Sequence, residues 1–523
     1  MDKPGTLVVC MNAIELKLFA SRVASICDEM GLVLKRTAFS PNIKDRLDFS
    51  CALFGPDGQL FAQAAHIPVH LGSMAFAMGD LVCKRPWQAG DMLVVNDPYL
   101  GGTHLPDVTL IAPVFSGAGE RLIGFVANRA HHANIGCDTP GSMPVSQHLE
   151  EEGIVIPPTL LFAGGELQQQ CLRLLEPDTA ELSGDFAAQA GSNQVGVGRL
   201  KELVGKTGID SYFTGMAELN DYADRITKGL LQTLCPGEYL FEDFLDDDGF
   251  GSSAIPLNLA LRINAAEVEL DFSASSEIVP GNLNCPESVV AAAAYYCFRC
   301  LLPDEAPACE GLFRRIRIKT RAGSILNAER PAAVAAGNVE TSTRLVDLVF
   351  GALAQALPDT IPAASQGTMN NIAMGRIDAD SGTRWDYYET LAGGLGGGPH
   401  YAGLDCVHSH MTNTLNTPVE SLEMHYPLRV RRYAERQGSG GDGLQRGGNG
   451  ITREYEFLEP AQLSLLTERR AFPAWGLRGG EEGTSGENLL NGEVLPGKCS
   501  LAVKAGDRLL VRTPGGGGWG KPD

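Results

Sequence analysis

Residues 96–136 read NDPYLGGTHLPDVTLIAPVFSGAGERLIGFVANRAHHANIG. The runs VTLIAPVF and LIGFVANRA are apolar and β-branched, and the small residues Ser116-Gly117-Ala118-Gly119 separate them as a hairpin turn does. A turn centred between Gly117 and Ala118 pairs residues whose numbers sum to 235, which sets His104 opposite His131 and leaves Asp107 on the same rim. Two imidazoles and a carboxylate at one end of one hairpin outline a metal site.

A lone histidine at a strand end is more often a hydrogen-bonded structural residue than a ligand, but three converging nitrogen and oxygen donors are harder to explain that way. The His-x-x-Asp spacing falls on a loop that Pro106 keeps from being helical, and Gly101 and Gly102 allow a tight backbone turn before it. A second hairpin is read in DFSCALF, the turn Gly55-Pro56-Asp57-Gly58, and QLFAQAA. Its open end carries Asp48 on one side and His66, followed by His70, on the other. On the residues alone the plainer reading is preferred there, with Asp48 capping a strand and His70 a buried structural histidine.

With 523 residues the chain is long enough for two or three domains, or for one large core with satellites, and it needs no metal or disulfide for stability. The net charge of −21 repels phosphate backbones and anionic membranes, so nucleic acid is not the expected partner. Thirteen cysteines lack framework spacing, and MDKPGTLVVCMNAIELK has no basic region followed by an apolar core and cleavage site. Both point to a reducing cytoplasm. No apolar run approaches the ~20 residues of a membrane span. Cys297 and Cys300 follow an alanine-rich helical run with no second pair to complete a zinc site, and read as core.

Apolar positions Ile14, Leu18, Val23, Ile26, Met30 and Leu34 predict an amphipathic helix over 12–38 with Asn12 as its cap. A short helix around Ser73 to Cys83 and the strand DMLVVN follow. Residues 139–165 are rich in Pro, Gly and Glu and read as a long surface excursion, and 176–234 as helical. From Cys235 the runs YLFEDFLDDDG, NLALRIN and EVELDFSAS alternate as antiparallel strands do, with helices at 286–302 and 344–356. The whole is an α+β fold with a β-rich core, antiparallel hairpins carrying the metal site, and a helical arm. Its expected division is 1–170 (metal-binding hairpins and the N-terminal helix), 171–235 (the arm) and 236–523 (a mixed and glycine-rich β region packed with the first).

The glycine clusters LAGGLGGGPHYAG, GSGGDGLQRGGNG and TPGGGGWGKPD lack the GK[ST] ending of a phosphate loop, so tight turns and close backbone packing are the preferred reading. There is no GxSxG, HExxH or kinase signature set. His400, His408, His410 and His425 form a loose second histidine group, with no cysteine or carboxylate at metal spacing.

SPNIKDRLDFSCALF, HIPVHLGSM, NDPYLGGTHLPD, ANRAHHANIG, PGSMP, the RGG stretch near Arg446 and the terminal TPGGGGWG together resemble the hydantoinase B/oxoprolinase family, from the first helix to the last residues. The resemblance implies a divalent metal, zinc, manganese or iron, held by Asp48, His104, Asp107 and His131, with Asp48 or Asp107 also able to accept a proton and His70 a substrate contact. It implies a partner of hydantoinase A type that uses ATP to phosphorylate the carbonyl oxygen of a small cyclic amide, in a hetero-oligomer; the helical arm at 176–234 is one expected contact surface. This chain would then complete hydrolysis of a hydantoin, 5-oxoproline or lactam ring. A subunit of an acetone- or acetophenone-type carboxylase, and a non-catalytic stabilising subunit, stay open as second and third readings. Asn134 and Cys137 replace an acid and a glycine common in relatives, and His132, beside His131 on a strand, points to the opposite face.

Overall fold

The computed structural model describes residues 11–64, 66–117, 121–176, 179, 181–182, 184–377 and 384–522. The expected turn residues Ala118 and Gly119 and the first ten residues of the expected leader-free N-terminus lie outside them.

The fold is α+β. It begins with helix α1 (Ala13–Thr37), whose Asn12 cap accepts from the Ile14 and Glu15 amides while Glu15 reaches back to the Asn12 amide. Phe19, Val23, Ile26, Cys27, Met30 and Leu34 form its buried stripe. The one-turn helix α2 (Pro41–Lys44) brings the chain into a seven-stranded sheet. Its strands are β1 (Phe49–Phe54), β2 (Leu60–Gln63), β3 (Met92–Val95), β4 (Asp107–Ser116), β5 (Arg121–His131), β6 (Thr159–Ala163) and β7 (Glu166–Leu167). Their spatial order is β2-β1-β5-β4-β3-β6-β7, every neighbouring pair antiparallel. Helix α3 (Pro68–Cys83) starts earlier than its apolar pattern suggests, because Pro68 stands at its first position, where a missing amide costs nothing.

Both hairpins form, but the first is in a different register from the one expected. Asp107, and not His104, lies opposite His131, and the pairing steps by one between Val114 and Phe115. Ser116 pairs with Arg121, so the connection is two residues longer than a tight turn, and the bulge adds the third position of displacement. The segment 139–165 is also corrected. Ser142, Ser146, Ile156 and the carboxylate of Glu152 are buried, and Thr159–Ala163 pairs with β3. Its prolines and glycines shape an interior crossing, not a surface loop.

After α4 (Gln169–Leu175), helices α5 (Gly184–Thr207) and α6 (Ile209–Leu231) pack on the sheet and on α1. Gln189 and Asn193 of α5 are fully buried and hydrogen-bond Asn128 and the Val108 and Leu110 carbonyls, which fixes the helix on the face of β4 and β5 away from the histidine rim. Strands β8 (Gly237–Asp247), β9 (Ser253–Ile263), β10 (Val268–Asp271) and β11 (Ile316–Lys319) form a second sheet, parallel only between β10 and β11. Helices α7 (Glu287–Cys300) and α8 (Ser342–Ala356) lie in the core, with α7 against α3.

The last third holds β12 (Asn371–Ile377), β13 (Arg384–Glu389), α9 (Val419–His425), β14 (Leu428–Arg436), β15 (Gly450–Phe457), β16 (Ala461–Leu466), β17 (Glu487–Leu490), β18 (Glu493–Val494), β19 (Lys498–Val503) and β20 (Arg508–Arg512). They make two antiparallel sheets, ordered β13-β12-β16-β19 and β14-β15-β20-β17-β18. The glycine clusters run alongside one another as hydrogen-bonded backbones, with Gly394 donating to Pro514, Gly448 to Leu395 and Gly517 to Ala364. A Cβ on Gly394 would lie 1.8 Å from the Gly448 carbonyl oxygen and 2.5 Å from the Gly516 nitrogen. Close approach, and not turn formation, is what requires glycine there.

Candidate metal centre

Three elements of the first sheet and the start of α3 converge on one small space. His104 is placed by a tight loop in which Gly101 has φ +108° and a Cβ on Gly102 would meet the Asn96 carbonyl oxygen at 2.2 Å. The Asp107 amide closes that loop on the His104 carbonyl at 3.1 Å. Asp107 opens β4 and His131 ends β5. Asp48 immediately precedes β1, and its carbonyl accepts from the His131 amide at 3.0 Å. His70 lies one turn into α3.

His104 Nε2 is 3.1 Å and His70 Nε2 3.2 Å from Asp107 Oδ1, and His131 Nδ1 is 4.0 Å from the same oxygen. Asp48 Oδ1 is 3.9 Å from His70 Nε2, and Asp48 Oδ2 is 3.7 Å from the guanidinium of Arg46. The His104 and His131 rings stack with centroids 5.1 Å apart, and the Tyr388 ring meets His131 edge-on. The space they enclose, shared with Asn338 and Met369, is a cavity of ≈ 20 Å³, room for one water molecule or one ion.

The donors are held from behind. Asp107 Oδ2 accepts from Thr103 Oγ1 at 2.7 Å and Asn338 Nδ2 at 3.1 Å, which leaves Oδ1 facing inward. His104 Nδ1 lies 3.2 Å from the Ala335 carbonyl, an acceptor only, so Nδ1 carries a proton and Nε2 is the nitrogen turned towards Asp107 Oδ1. Asn338 belongs to a π-helical turn, Gly337–Thr341, a rare backbone form that recurs at functional sites.

This donor set fits a divalent cation. Both ring nitrogens of His131 are buried with no hydrogen-bond partner among the described residues, and buried polar groups left so are costly; Asp107 Oδ1 is met by the His104 and His70 rings. His104, Asp107 and His131 offer donor atoms all within 4.8 Å of one another. Burial is the largest influence on His131 and lowers its pKa to about 4, so the ring is neutral as a ligand must be. For Asp107 burial pushes upward, yet the His104 and His70 imidazoles outweigh it and hold the carboxyl well below the usual range. Burial likewise opposes charge on His104, but Asp107 beside it leaves the pKa raised. Two imidazole edges converging on one carboxylate oxygen need either protons or a cation to satisfy them.

Several neighbours do other work. His66 accepts the Cys51 amide at Nδ1 and packs edge-on to Phe49; burial lowers its pKa to about 4. His132 faces α5, bonded to Gln189 at 2.8 Å, as alternation along a strand requires. Asn134 is exposed and caps its own turn through the Gly136 amide, and Cys137 is buried against the Glu151 carbonyl. Thr103, Ala335, Asn338 and Tyr388 were not legible as site residues: three of them come from more than 200 positions downstream in stretches with no motif of their own.

His104, Asp107 and His131, buried at the rim of an antiparallel sheet inside an α+β fold, form a cluster that could hold a metal ion. The chain belongs to the hydantoinase B/oxoprolinase family, whose model matches residues 12–522. It is 38% identical to 5-oxoprolinase 1 of Arabidopsis thaliana, over 97% of this chain but 42% of that protein. It is 28% identical to a putative D-/L-hydantoinase subunit of Pseudomonas sp. (strain NS671), over 100% of this chain and 92% of that one. Its backbone superposes on the ATP-dependent caprolactamase of Pseudomonas jessenii with a TM-score of 0.88 at 26% identity, covering 98% of this chain and 91% of that one. The chain thus spans about two-fifths of the length of the 5-oxoprolinases it matches. Among the described residues no helix is long and apolar enough to cross a membrane.

Proposed function

We propose that this chain is the metal-dependent subunit of an ATP-dependent cyclic-amide hydrolase, acting in the cytoplasm on a hydantoin, 5-oxoproline or lactam whose carbonyl oxygen has been phosphorylated by a hydantoinase A-type partner. The observation that carries this reading is the buried His131 ring, without a hydrogen-bond partner among the described residues, beside an Asp107 Oδ1 on which the His104 and His70 rings also converge, in a cavity of ≈ 20 Å³. The Pseudomonas relative named as one subunit of a hydantoinase, and the 5-oxoprolinases that extend well beyond the matched region, support a partner and a hetero-oligomer.

In this reading Asp48, His104, Asp107 and His131 hold a divalent cation; mixed nitrogen and oxygen donors suit zinc, manganese or iron. When bound there it supplies Lewis-acid chemistry, polarising oxygen and making water nucleophilic near neutral pH. The chain's own residues do the rest. Thr103 and Asn338 aim Asp107, the Ala335 carbonyl sets the His104 tautomer, and Arg46 balances the charge of Asp48. Asp48, the least buried of the carboxylates at 8% exposed, accepts the proton that water gives up on attack. His70, across from both carboxylates, meets the bound substrate.

The partner pair, co-expressed and supplied with ATP, cyclic amides and ketones, tests this with isotopically labelled water and bicarbonate in parallel. Label from water in a ring-opened acid is expected. Label from bicarbonate in a new carboxylate would replace the hydrolase reading with a carboxylase one.

A further inference from the structure

Two members of the second histidine group, His408 and His410, which the metal centre does not use, line a cavity of ≈ 500 Å³ beside it, whereas His400 and His425 do not. Thr412 belongs to the walls of both spaces, and Pro68 of the larger one sits between Ile67 and Val69 of the smaller. The larger cavity has the size of a small-molecule site and is walled by Tyr296, Phe350, Ile361 and Leu395, with His408 and His410 among polar groups that include Ser409, Thr412 and Asn413.

His410 is built as a proton-handling residue. Its Nε2 lies 3.1 Å from Asp347 Oδ1. Asp347 is buried in α8, and its other oxygen meets Arg469 Nη2 at 2.5 Å. Burial raises the Asp347 pKa, but Arg469 and His410 outweigh that and leave it lowered, so Asp347 stays an anion and orients the ring without taking its proton. Nε2 is therefore the protonated nitrogen, and Nδ1, which makes no hydrogen bond among the described residues, is the one free to meet a ligand. The Tyr296 and Phe350 rings each stand 6.0 Å from the imidazole and fix its plane. His410 also has φ +56°, a strained conformation for a side-chain-bearing residue of the kind that persists where function demands it.

His408 is a second signal of a ligand. Both of its ring nitrogens are shut off from solvent, with the Asn416 side chain as a polar neighbour, and among the described residues Ser409 Oγ there has no hydrogen-bond partner. Burial first, and then the charge of Arg46, lowers the His408 pKa to about 4, so the neutral ring offers one donor and one acceptor.

We propose that this cavity receives the substrate ring, that His408 hydrogen-bonds its amide, and that His410, oriented by Asp347, protonates the nitrogen that leaves as the ring opens. The proposal rests on the hydrolase reading above. In the adduct of water with the phosphorylated carbonyl, the new oxygen closes to C=O as the C–N bond breaks. The bond's electron pair passes to nitrogen, which takes the Nδ1 proton of His410 in its doubly protonated form. The acyl phosphate left behind is hydrolysed to acid and phosphate, and the imidazole, still holding its Nε2 proton towards Asp347, regains the Nδ1 proton from solvent.

His410→Gly is the decisive variant, because glycine adopts φ +56° without strain and leaves a hole of imidazole shape. In the co-expressed pair with ATP and a ring that the wild type opens, kcat for ring opening falls by about 100-fold or more with KM little changed, as expected for loss of a general acid. Added imidazole restores a dose-dependent part of it, which a structural role would not allow. His410→Asn, also tolerated at positive φ, gives the same loss without rescue. A His410→Gly activity within about threefold of wild type, far short of a general acid's worth, or a loss that imidazole leaves unmoved, overturns this inference alone. A wild-type pair that opens no ring overturns the hydrolase reading with it.

Discussion

Asp107 pairs with His131 across the β4–β5 ladder, and their side chains bring a carboxylate oxygen and an imidazole nitrogen to 4.0 Å in a space closed to solvent. Because backbone pairing sets this meeting, the donors are in place before any ion arrives, and binding costs little side-chain ordering. His131→Ala removes a donor whose nitrogens bond to nothing else. Purified protein is expected to lose its bound metal by elemental analysis, and the pair to lose ring opening while substrate-stimulated ATP turnover persists in part. Full metal content in His131→Ala would rule out the assignment.

Asn338 and Thr103 touch Asp107 from the side away from the cavity. Asn338→Ala leaves every donor present but frees the carboxylate to turn. Metal affinity, measured by competition with a chelator, is expected to weaken about 10- to 100-fold, the usual cost of removing such support. An unchanged affinity would mean that Asp107 Oδ1 is aimed by its strand alone.

The parts of this site carried by local pattern were legible, and the parts carried by chain crossing were not. α1 announced itself through Asn12 and a helical stripe of which Val23, Ile26, Met30 and Leu34 are buried, whereas Ile14 and Leu18 are exposed. The two hairpins followed from β-branched runs broken by small residues. The register of the first did not, because a connection two residues longer than a tight turn and a one-residue bulge at Val114/Phe115 leave no compositional mark. Ala335 and Asn338 reach His104 and Asp107 across 231 positions, in a segment whose π-helical turn has no sequence period. The carboxylate that His410 lacked nearby comes from Asp347, 63 positions upstream on α8.

Glu152 gives a pH prediction. Burial, opposed by hydrogen bonds from Ala335, Ser146 and Val334, raises its pKa from 4.5 to about 7. The folded state therefore holds a proton on Glu152 that the unfolded chain has already released between pH 4.5 and 7, so stability from this group is full below that window and falls as pH rises through it. The cost by pH 8 is on the order of 3 kcal/mol. Glu152→Gln keeps an oxygen for the Val334 and Ala335 amides. Its melting temperature should lack that part of the decline between pH 5 and 8, and an identical pH profile would show that Glu152 stays ionised.

α3 and α7 cross where a Cβ on Gly72 would lie 2.5 Å from the Ala292 Cα. Both sides are helix backbone, so Gly72→Ala must separate the helices, at about 1–3 kcal/mol. His70 stands two residues away on α3. The variant should therefore raise KM for the ring substrate along with losing melting temperature, whereas a drop in stability alone would mean that His70 is held independently of the crossing.

The glycines divide into two kinds that stability measurements can separate. Gly205 in α5 has nothing within 4 Å of its Cβ position, so alanine there gains helix propensity and should stabilise by about 0.5–1 kcal/mol. Gly394 has the Gly448 carbonyl oxygen at 1.8 Å and the Gly516 nitrogen at 2.5 Å, both backbone atoms that cannot rotate aside. Gly394→Ala has to push apart segments joined by the Gly394–Pro514, Gly448–Leu395 and Gly516–Gly448 hydrogen bonds, and should destabilise by about 3 kcal/mol or more. Leu395 and Gly396 also wall the cavity that holds His410. Displacing this glycine layer should therefore raise KM for the ring substrate at temperatures where Gly394→Ala is still folded, and an unchanged KM would show that the cavity is shaped by α7 and α8 without it.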